Sequence, residues 1–290
     1  MIWTALENKS LLRHYPKTPE IEGVDWALTD FFNALDNHQT ADLADAPLIH
    51  IVLVKGLMGD HMLNHFKDVK EHFLQQGYEV SVAPTSGTAS IKDNAAAIAL
   101  HLSQINKDIY LLCHSKGGLD ALTALENDQQ IWPAIKGAIL VQTPFDISPV
   151  LNSILTGAYP RGKRTTLKEA VYKVSLYLLS AKKACYDLIN PNIKPYLKNY
   201  HFPFPVIQCV TWSVQPTSWV DSFHKRLSEI DKDVAHDGQF YVHKMLWPCF
   251  PNILVGGIDH AQPVVGGYGF QAGHFWEQCL ATLKSLPNQA

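Results

Sequence analysis

The 290-residue sequence contains no apolar run of the length a membrane helix needs, and its start, Met1-Ile2-Trp3-Thr4-Ala5-Leu6-Glu7-Asn8-Lys9, lacks a basic stretch followed by an apolar segment. Neither a transmembrane span nor a secretory signal is therefore expected. The five cysteines, at 113, 185, 209, 249 and 279, are odd in number and widely spaced. That pattern argues against a disulfide framework and for a reducing, cytoplasmic setting. Repeats and low-complexity tracts are absent. No loop has the form that cradles phosphate: Gly266-Gly267 is not followed by lysine and a hydroxyl residue, and Gly56-x-x-Gly59 is too little for a dinucleotide fingerprint. A net charge of −3, with no recognisable reading module, excludes nucleic acid as the expected partner.

What remains is a chain of 47% hydrophobic residues, long enough for one well-buried α/β domain with an insertion. Its most informative stretch is Ile109-Tyr-Leu-Leu-Cys-His-Ser-Lys-Gly-Gly118. Ile109 to Cys113 read as a strand buried on both faces, the kind found inside a parallel sheet. Beyond Ser115 the period changes: Leu119, Leu122 and Leu125, with Ala121 and Ala124 between them, recur at helical spacing. The strand must turn into a helix within about three residues, with Gly117 and Gly118 easing the crowding and Ser115 lifted onto the turn. A serine hydroxyl becomes a nucleophile only when a base takes its proton and fixed donors accept the developing oxyanion. The backbone N–H of Lys116, first in the new helix, is one such donor. Cys113 reads as a buried, inert thiol.

Serine chemistry of this kind needs a histidine and a carboxylate that orients it. Asn252 to Gly256 reads as a last short strand that delivers His260 to the carboxyl edge of the sheet, where ligands bind in open α/β folds. The chain has 14 histidines, and most are read as ordinary. His61 and His65, four apart on an expected helix, lack further ligands at metal spacing and are taken as surface residues. His201, His224, His236 and His243 lack a strand-end setting. Asp237, in a loop with its own turn glycine Gly238, is the chosen acid. Asp221 is second, placed where Ser218 to Asp221 begin a helix and so available as a cap. Asp259, adjacent to His260, ranks third because it would have to fold back on its neighbour.

With these landmarks in order, the chain resembles bacterial lipases and esterases of the α/β-hydrolase superfamily. His114-Ser115-Lys116-Gly117-Gly118-Leu119-Asp120 is similar to their nucleophile elbow, Asp237-Gly238 to their acid loop, and Asp259-His260-Ala261 to their histidine loop. Thr143-Pro144-Phe145, after the expected strand Gly137 to Val141, is similar to the segment that follows the elbow helix. The likeness covers most of residues 48–285. Two positions depart from the family pattern: Cys113 replaces the first glycine of G-x-S-x-G, and Lys55 replaces the histidine before Gly56 in the loop after Leu48–Val54. The resemblance implies that the backbone N–H of Leu57 is a second oxyanion donor, which a side-chain change at Lys55 need not abolish.

It further implies an α/β-hydrolase fold, a mostly parallel sheet flanked by helices. Residues 1–47 precede the first strand, and their Trp26-Ala27-Leu28 and Phe31-Phe32 suggest a helix, so they are read as an extension packed on the core. The core would comprise 48–150 and 202–290, and residues 151–201 a helical cap. Residues 151–200 hold nine Lys and Arg against Glu169 and Asp187, a local +7 that leaves −10 for the rest of a chain at −3. Leu167, Val171, Val174, Leu178, Ala181, Cys185 and Leu188 draw an apolar stripe along one expected helix. Such a stripe ordinarily packs on its domain. The sharper alternative is a lid whose Lys163, Arg164, Lys168, Lys182 and Lys183 meet an anionic lipid surface or an acidic carrier. The expected activity is carboxylic-ester hydrolysis by Ser115, His260 and Asp237, with neither cofactor nor metal. The rivals are a thioesterase or acyltransferase on a carrier-bound acyl group, and a non-catalytic scaffold.

Overall fold

The longest strand-like run of the sequence forms β1, whose residues are all buried except the partly covered His50. The structure, a computed structural model, describes residues 46–156, 180–190, 201–213, 221–231, 234–247, 249–267 and 269–286, together with residues 170, 173, 174, 176 and 178. Along the chain the elements are β1 (Ile49–Val54), α1 (Lys67–Gln75), β2 (Glu79–Val82), α2 (Ile91–Leu102), β3 (Asp108–His114), α3 (Lys116–Asn127), β4 (Ile135–Val141), α4 (Pro149–Thr156), α5 (Lys182–Ile189), β5 (Val206–Trp212), α6 (Asp221–Ile230), β6 (Asn252–Gly256), α7 (Gln262–Val265) and α8 (Ala272–Ser285).

The strands form one six-stranded sheet in the order β2-β1-β3-β4-β5-β6, and every neighbouring pair is parallel. Because residues along a strand point alternately to its two faces, each strand feeds two cores. Ile51 and Leu53 pack with Phe73 of α1 and Trp276 of α8, whereas Val52 and Val54 pack with Ile98 of α2 and Leu122 of α3. Burying a Val, Leu or Ile side chain contributes about 1.5–3 kcal/mol, so these runs dictate both element type and register.

The chain leaves β1 toward β2 on one side and returns to β3 on the other. This reversal makes the carboxyl ends of β1 and β3 a switch point, where the two connections diverge and leave a crevice. In register, Val54 lies opposite Cys113 and Cys113 opposite Leu140. The loops after β1, β3 and β4 therefore start side by side.

Two expectations are corrected. The segment holding His61 and His65 is a series of turns, and α1 begins only at Lys67. Met58, Asn64 and Phe66 have φ of 59°, 63° and 63°, left-handed conformations that a right-handed helix cannot contain. The expected stripe on one long helix is also interrupted. Ser180, with φ of 57°, separates the helical residues at Lys173, Val174, Leu176 and Leu178 from α5. Ala181, Cys185 and Leu188 are buried, but Val174 and Leu178 are 55% and 78% exposed, and Leu176 is buried instead.

Leu167, Val171, Lys163, Arg164 and Lys168, and the helix expected around Trp26 and Phe31-Phe32, lie outside the described residues. The five cysteines are free thiols, four of them buried. Among the described residues no helix is long and apolar enough to cross a membrane.

Candidate active site

β3 ends at His114, and Ser115 turns the chain directly into α3 with φ 54° and ψ −129°. A non-glycine residue held there stores about 1–3 kcal/mol of strain, so its surroundings must over-determine it. They do so by hydrogen bonding and by crowding. Ser115 N–H donates to the Val141 carbonyl at 2.9 Å, and the Ser115 carbonyl accepts from Gly118 N–H at 3.0 Å. A Cβ on Gly117 would lie 2.5 Å from the carbonyl oxygens of Val54 and Lys55, and one on Gly118 would lie 2.0 Å from Thr143 Oγ1. The tight contacts of the elbow are thus with the end of β1 and the loop after β4.

β6 ends at Gly256, and the following loop places His260 over the serine, with Nε2 3.0 Å from Ser115 Oγ. The other ring nitrogen, Nδ1, lies 2.6 Å from Asp237 Oδ2. A carboxylate only accepts, so His260 carries its proton on Nδ1 and presents a lone pair at Nε2 toward the Ser115 hydroxyl. Asp237 is fully buried. Its Oδ1 accepts from the amides of Gln239 and Phe240, each at 2.8 Å. The acid loop is also tied to the histidine loop through its backbone, His260 N–H donating to the Asp237 carbonyl at 2.8 Å.

Asp259 faces away from this chain of bonds. Its Oδ1 accepts from Ala261 N–H at 2.9 Å and Gln262 N–H at 3.0 Å, which ties the carboxylate into the turn that leads to α7. Asp221 is the first residue of α6, and its side chain lies outside the described part. Of the histidines set aside, His224 bonds the Ser213 carbonyl at 2.9 Å and His236 bonds Ser228 Oγ at 3.0 Å. His201 is exposed and His243 is partly buried.

Leu57 lines the cavity at Ser115, in a turn fixed by Met58 N–H on the Gly87 carbonyl at 3.0 Å and Gly59 N–H on the Gly56 carbonyl at 3.1 Å. Lys55 Nζ stands 3.5 Å from Asp60, whose other oxygen accepts from Gly87 N–H at 2.7 Å. The residue that departs from the family pattern therefore helps to fasten this loop. Lys116 places its amide at the start of α3 and its side chain in the core, where Nζ lies 2.7 Å and 3.0 Å from the two oxygens of Asp120. Asn94 of α2 donates to the same carboxylate at 2.7 Å.

Three residues of the site carry no sequence signal of their own. His114 donates from Nε2 to Gln142 Oε1 at 3.0 Å and to the His260 carbonyl at 2.9 Å. Both partners are acceptors, so its proton sits on Nε2. Burial, and then the neighbouring His260 and His65, hold His114 well below the usual histidine range. His65, expected at the surface, is instead buried against it, ring centroids 5.7 Å apart, because the turns before α1 fold its ring in toward the elbow. Burial foremost, then the Lys55 charge, push the His65 pKa down to about 3. Gln142, just past β4 with φ 54°, donates from Nε2 to the Asp259 carbonyl at 2.8 Å and to Thr211 Oγ1. Cys113 is raised far above the ordinary thiol range by burial and the Asp120 charge, which keeps it protonated.

The resulting cavity, about 310 Å³, is lined by Ser115, His114, His65 and His260 and by Leu57, Met58, Leu151, Leu188, Phe223 and Phe240. It combines one hydroxyl, an oriented imidazole and an apolar wall.

No protein-family model and no curated protein matches the chain. Solved structures do. A metagenomic carboxyl esterase superposes with a TM-score of 0.64 at 17% identity, covering 82% of this chain and 76% of that one. The mature form of a Bacillus licheniformis lipase gives 0.51 at 19% identity, covering 77% and 88%. Staphylococcus hyicus lipase gives 0.54 at 12% identity, covering 85% and 98%. Together with the parallel sheet, its strand order and the strand-to-helix elbow, these likenesses establish that the chain has the α/β-hydrolase fold.

Proposed function

We propose that the chain is a serine hydrolase that cleaves carboxylic esters. The observation that carries this reading is the continuous line Asp237 Oδ2 to His260 Nδ1 at 2.6 Å and His260 Nε2 to Ser115 Oγ at 3.0 Å, mounted on a strained elbow at the mouth of an apolar cavity. The structural likeness to an esterase and two lipases agrees with it.

In this reading Ser115 Oγ attacks the ester carbonyl as His260 Nε2 takes the hydroxyl proton. The imidazolium that forms is stabilised by Asp237, whose carboxylate is already held by two backbone amides and has little reorganisation left to undergo. The amides of Leu57 and Lys116 receive the oxyanion. His260 then returns the proton to the leaving alcohol, and the acyl-enzyme is opened by water through the same base. His65 and His114 are neutral neighbours, so the base meets no competing positive imidazole. The wall of Leu57, Met58, Leu151, Leu188, Phe223 and Phe240 suits an apolar acyl group.

Residues 151–201 act as the cap in this reading, and two observations support it. Leu151 and Leu188 line the cavity directly, and Ser148 N–H bonds the Leu188 carbonyl at 2.7 Å, which anchors α5 beside α4.

Labelling with a fluorophosphonate tests the reading, because the probe reports an activated serine without knowledge of the substrate. One adduct on Ser115, abolished in Ser115→Ala and accompanied by hydrolysis of short-chain esters, is the expected result. A folded protein that takes no label, or takes it elsewhere, returns the chain to the non-catalytic scaffold.

A further inference from the structure

On the face of the sheet covered by α1 and α8, three groups converge that take no part in the Ser115 site. His72 of α1 places Nε2 3.0 Å from Glu277 Oε2 of α8, and His274 Nδ1, one turn before it, lies 3.3 Å from the same oxygen. The donor atoms of all three residues lie within 4.8 Å of one another. We propose that His72, His274 and Glu277 bind one divalent metal ion of the zinc class and that this ion fastens α1 to α8.

Three features favour a metal over a plain hydrogen-bonded cluster. First, the hydrogen bonds do not close. His72 Nε2 lies 3.0 Å from a carboxylate oxygen, which only accepts, and 3.1 Å from Gln76 Nε2, which only donates. One nitrogen cannot answer both, whichever tautomer it adopts. A cation in place of the imidazole proton turns His72 Nε2 and Glu277 Oε2 into co-ligands, and the contact with Gln76 no longer has to be a bond. Gln76 meanwhile donates to the second carboxylate oxygen, Oε1, at 2.6 Å. That is how a ligating carboxylate is ordinarily held in orientation. Gln76 Oε1 is buried without a hydrogen-bond partner among the described residues, a further mark of a polar cluster that lacks a component.

Second, the burial is graded as an ion site requires. The Glu277 side chain is 1% exposed, His72 17% and His274 42%. The anion is removed from water, where an unneutralised charge is costly, while the His274 side leaves an entry path and room for water to complete the shell. Third, the approach of the helices is built for the imidazole. A Cβ on Gly273 would lie 2.5 Å from His72 Cβ and Cγ, so only glycine lets the ring lie against α8.

Zinc takes two imidazoles and a carboxylate at about 2.0–2.2 Å, with water in the fourth position. A tetrahedron of that size spaces its donors by about 3.3–3.5 Å. The two contacts to Glu277 are already near that spacing, and rotation of the half-exposed His274 closes the remaining gap. The ion would stiffen more than a helix pair. α1 follows the turns that begin at Leu57, α8 follows the loop that carries His260, and Phe66 N–H already bonds the Val264 carbonyl at 2.7 Å between them.

The experiment is calorimetric titration of the chelator-stripped full chain with zinc chloride, alongside cobalt(II) absorption spectra and thermal melts. One equivalent bound, a cobalt spectrum of four- or five-coordinate character and a melting point raised by zinc are expected. Removing a ligand should cost more than the roughly 10–100-fold typical of a supporting residue, so His274→Ala should weaken binding by more than about 100-fold. His274 is exposed enough for that variant to fold, and Glu277→Gln, which keeps the side-chain shape, gives a second measure. Absence of an equivalent of bound metal, or wild-type binding in His274→Ala, overturns the proposal and leaves the cluster as a hydrogen-bonded clamp.

Discussion

Gln142 donates a hydrogen bond from Nε2 to the carbonyl oxygen of Asp259 at 2.8 Å, so the residue that closes β4 holds the loop that delivers His260 from β6. The same amide accepts from His114 beside Ser115 and donates to Thr211 of β5. One side chain therefore sets the spacing between the serine and histidine loops.

Replacing it tests that role. Gln142→Leu removes the hydrogen bonds that Gln142 makes with His114 and with the Asp259 carbonyl, each with a net contribution of about 0.5–1.5 kcal/mol. We expect a lower urea midpoint and a kcat reduced more than KM is raised, because His260 loses its seat. Unchanged kcat in a destabilised but folded variant would limit Gln142 to a structural role.

The acid of the proposed mechanism is tested by comparing two carboxylates. Asp237→Asn should lower kcat by roughly 10⁴-fold with little change in stability, since an amide favours the wrong imidazole tautomer. Asp259→Asn should be mild, because an amide oxygen still accepts from Ala261 and Gln262. Steady-state kinetics in which Asp259→Asn is the worse variant would reassign the acid.

Asp120 gives a prediction in pH. Its carboxyl is pushed up to about 6, by burial first and by the Asp187 charge, against the downward pull of Lys116 and Asn94. The folded chain then holds a proton that the unfolded chain has released above its ordinary value of 3.8. Between about pH 4 and pH 6 the folded state binds more protons, so the contribution of Asp120 to stability declines as pH rises. The stability of the wild type relative to Asp120→Asn should fall across that window, read from urea midpoints at each pH. A difference that is flat or that grows with pH would contradict this assignment.

The basic insertion offers a test by charge. Reversal of Lys163, Arg164 and Lys168 to glutamate should leave hydrolysis of a small neutral ester unchanged and slow attack on esters held in anionic vesicles. Salt should erase the difference, as screening shortens the electrostatic reach to roughly 3 Å at 1 M. An equal response of both substrates would show that the insertion does not steer.

The inner strands and β6 were legible because they are largely buried on both faces and read as apolar runs: Asn252–Gly256 has the bounds expected, and Ile109–Cys113 is extended by one residue at each end. The edge strand Glu79–Val82, exposed or half-buried along its length, carries no such run and was not read. Ser115 was legible because a change of period marks the elbow, and His260 because a strand end precedes it. His65, His114 and Gln142 were not. Their neighbours come from elements 28 to 146 residues away, and no local pattern records that. The single helix expected for the apolar stripe was misread for the converse reason: the period of its residues continues through Ser180, but a left-handed residue there stops the helix, and periodicity is blind to one dihedral angle.

The crowding around Ser115 also predicts how the gene tolerates change. A Cβ at Gly56 would lie 2.9 Å from Ser115 Cβ, at Gly117 2.5 Å from two main-chain oxygens, and at Gly118 2.0 Å from Thr143 Oγ1. None of these obstacles is a long side chain that can swing aside. In a library of all single substitutions, positions 56, 117 and 118 should form a small island where alanine is rejected as firmly as tryptophan. A few residues along α3, the exposed or half-exposed positions should accept nearly anything. Size, and not chemistry, would draw the border of that island, so selection for folding alone, with no ester present, should be enough to reveal it.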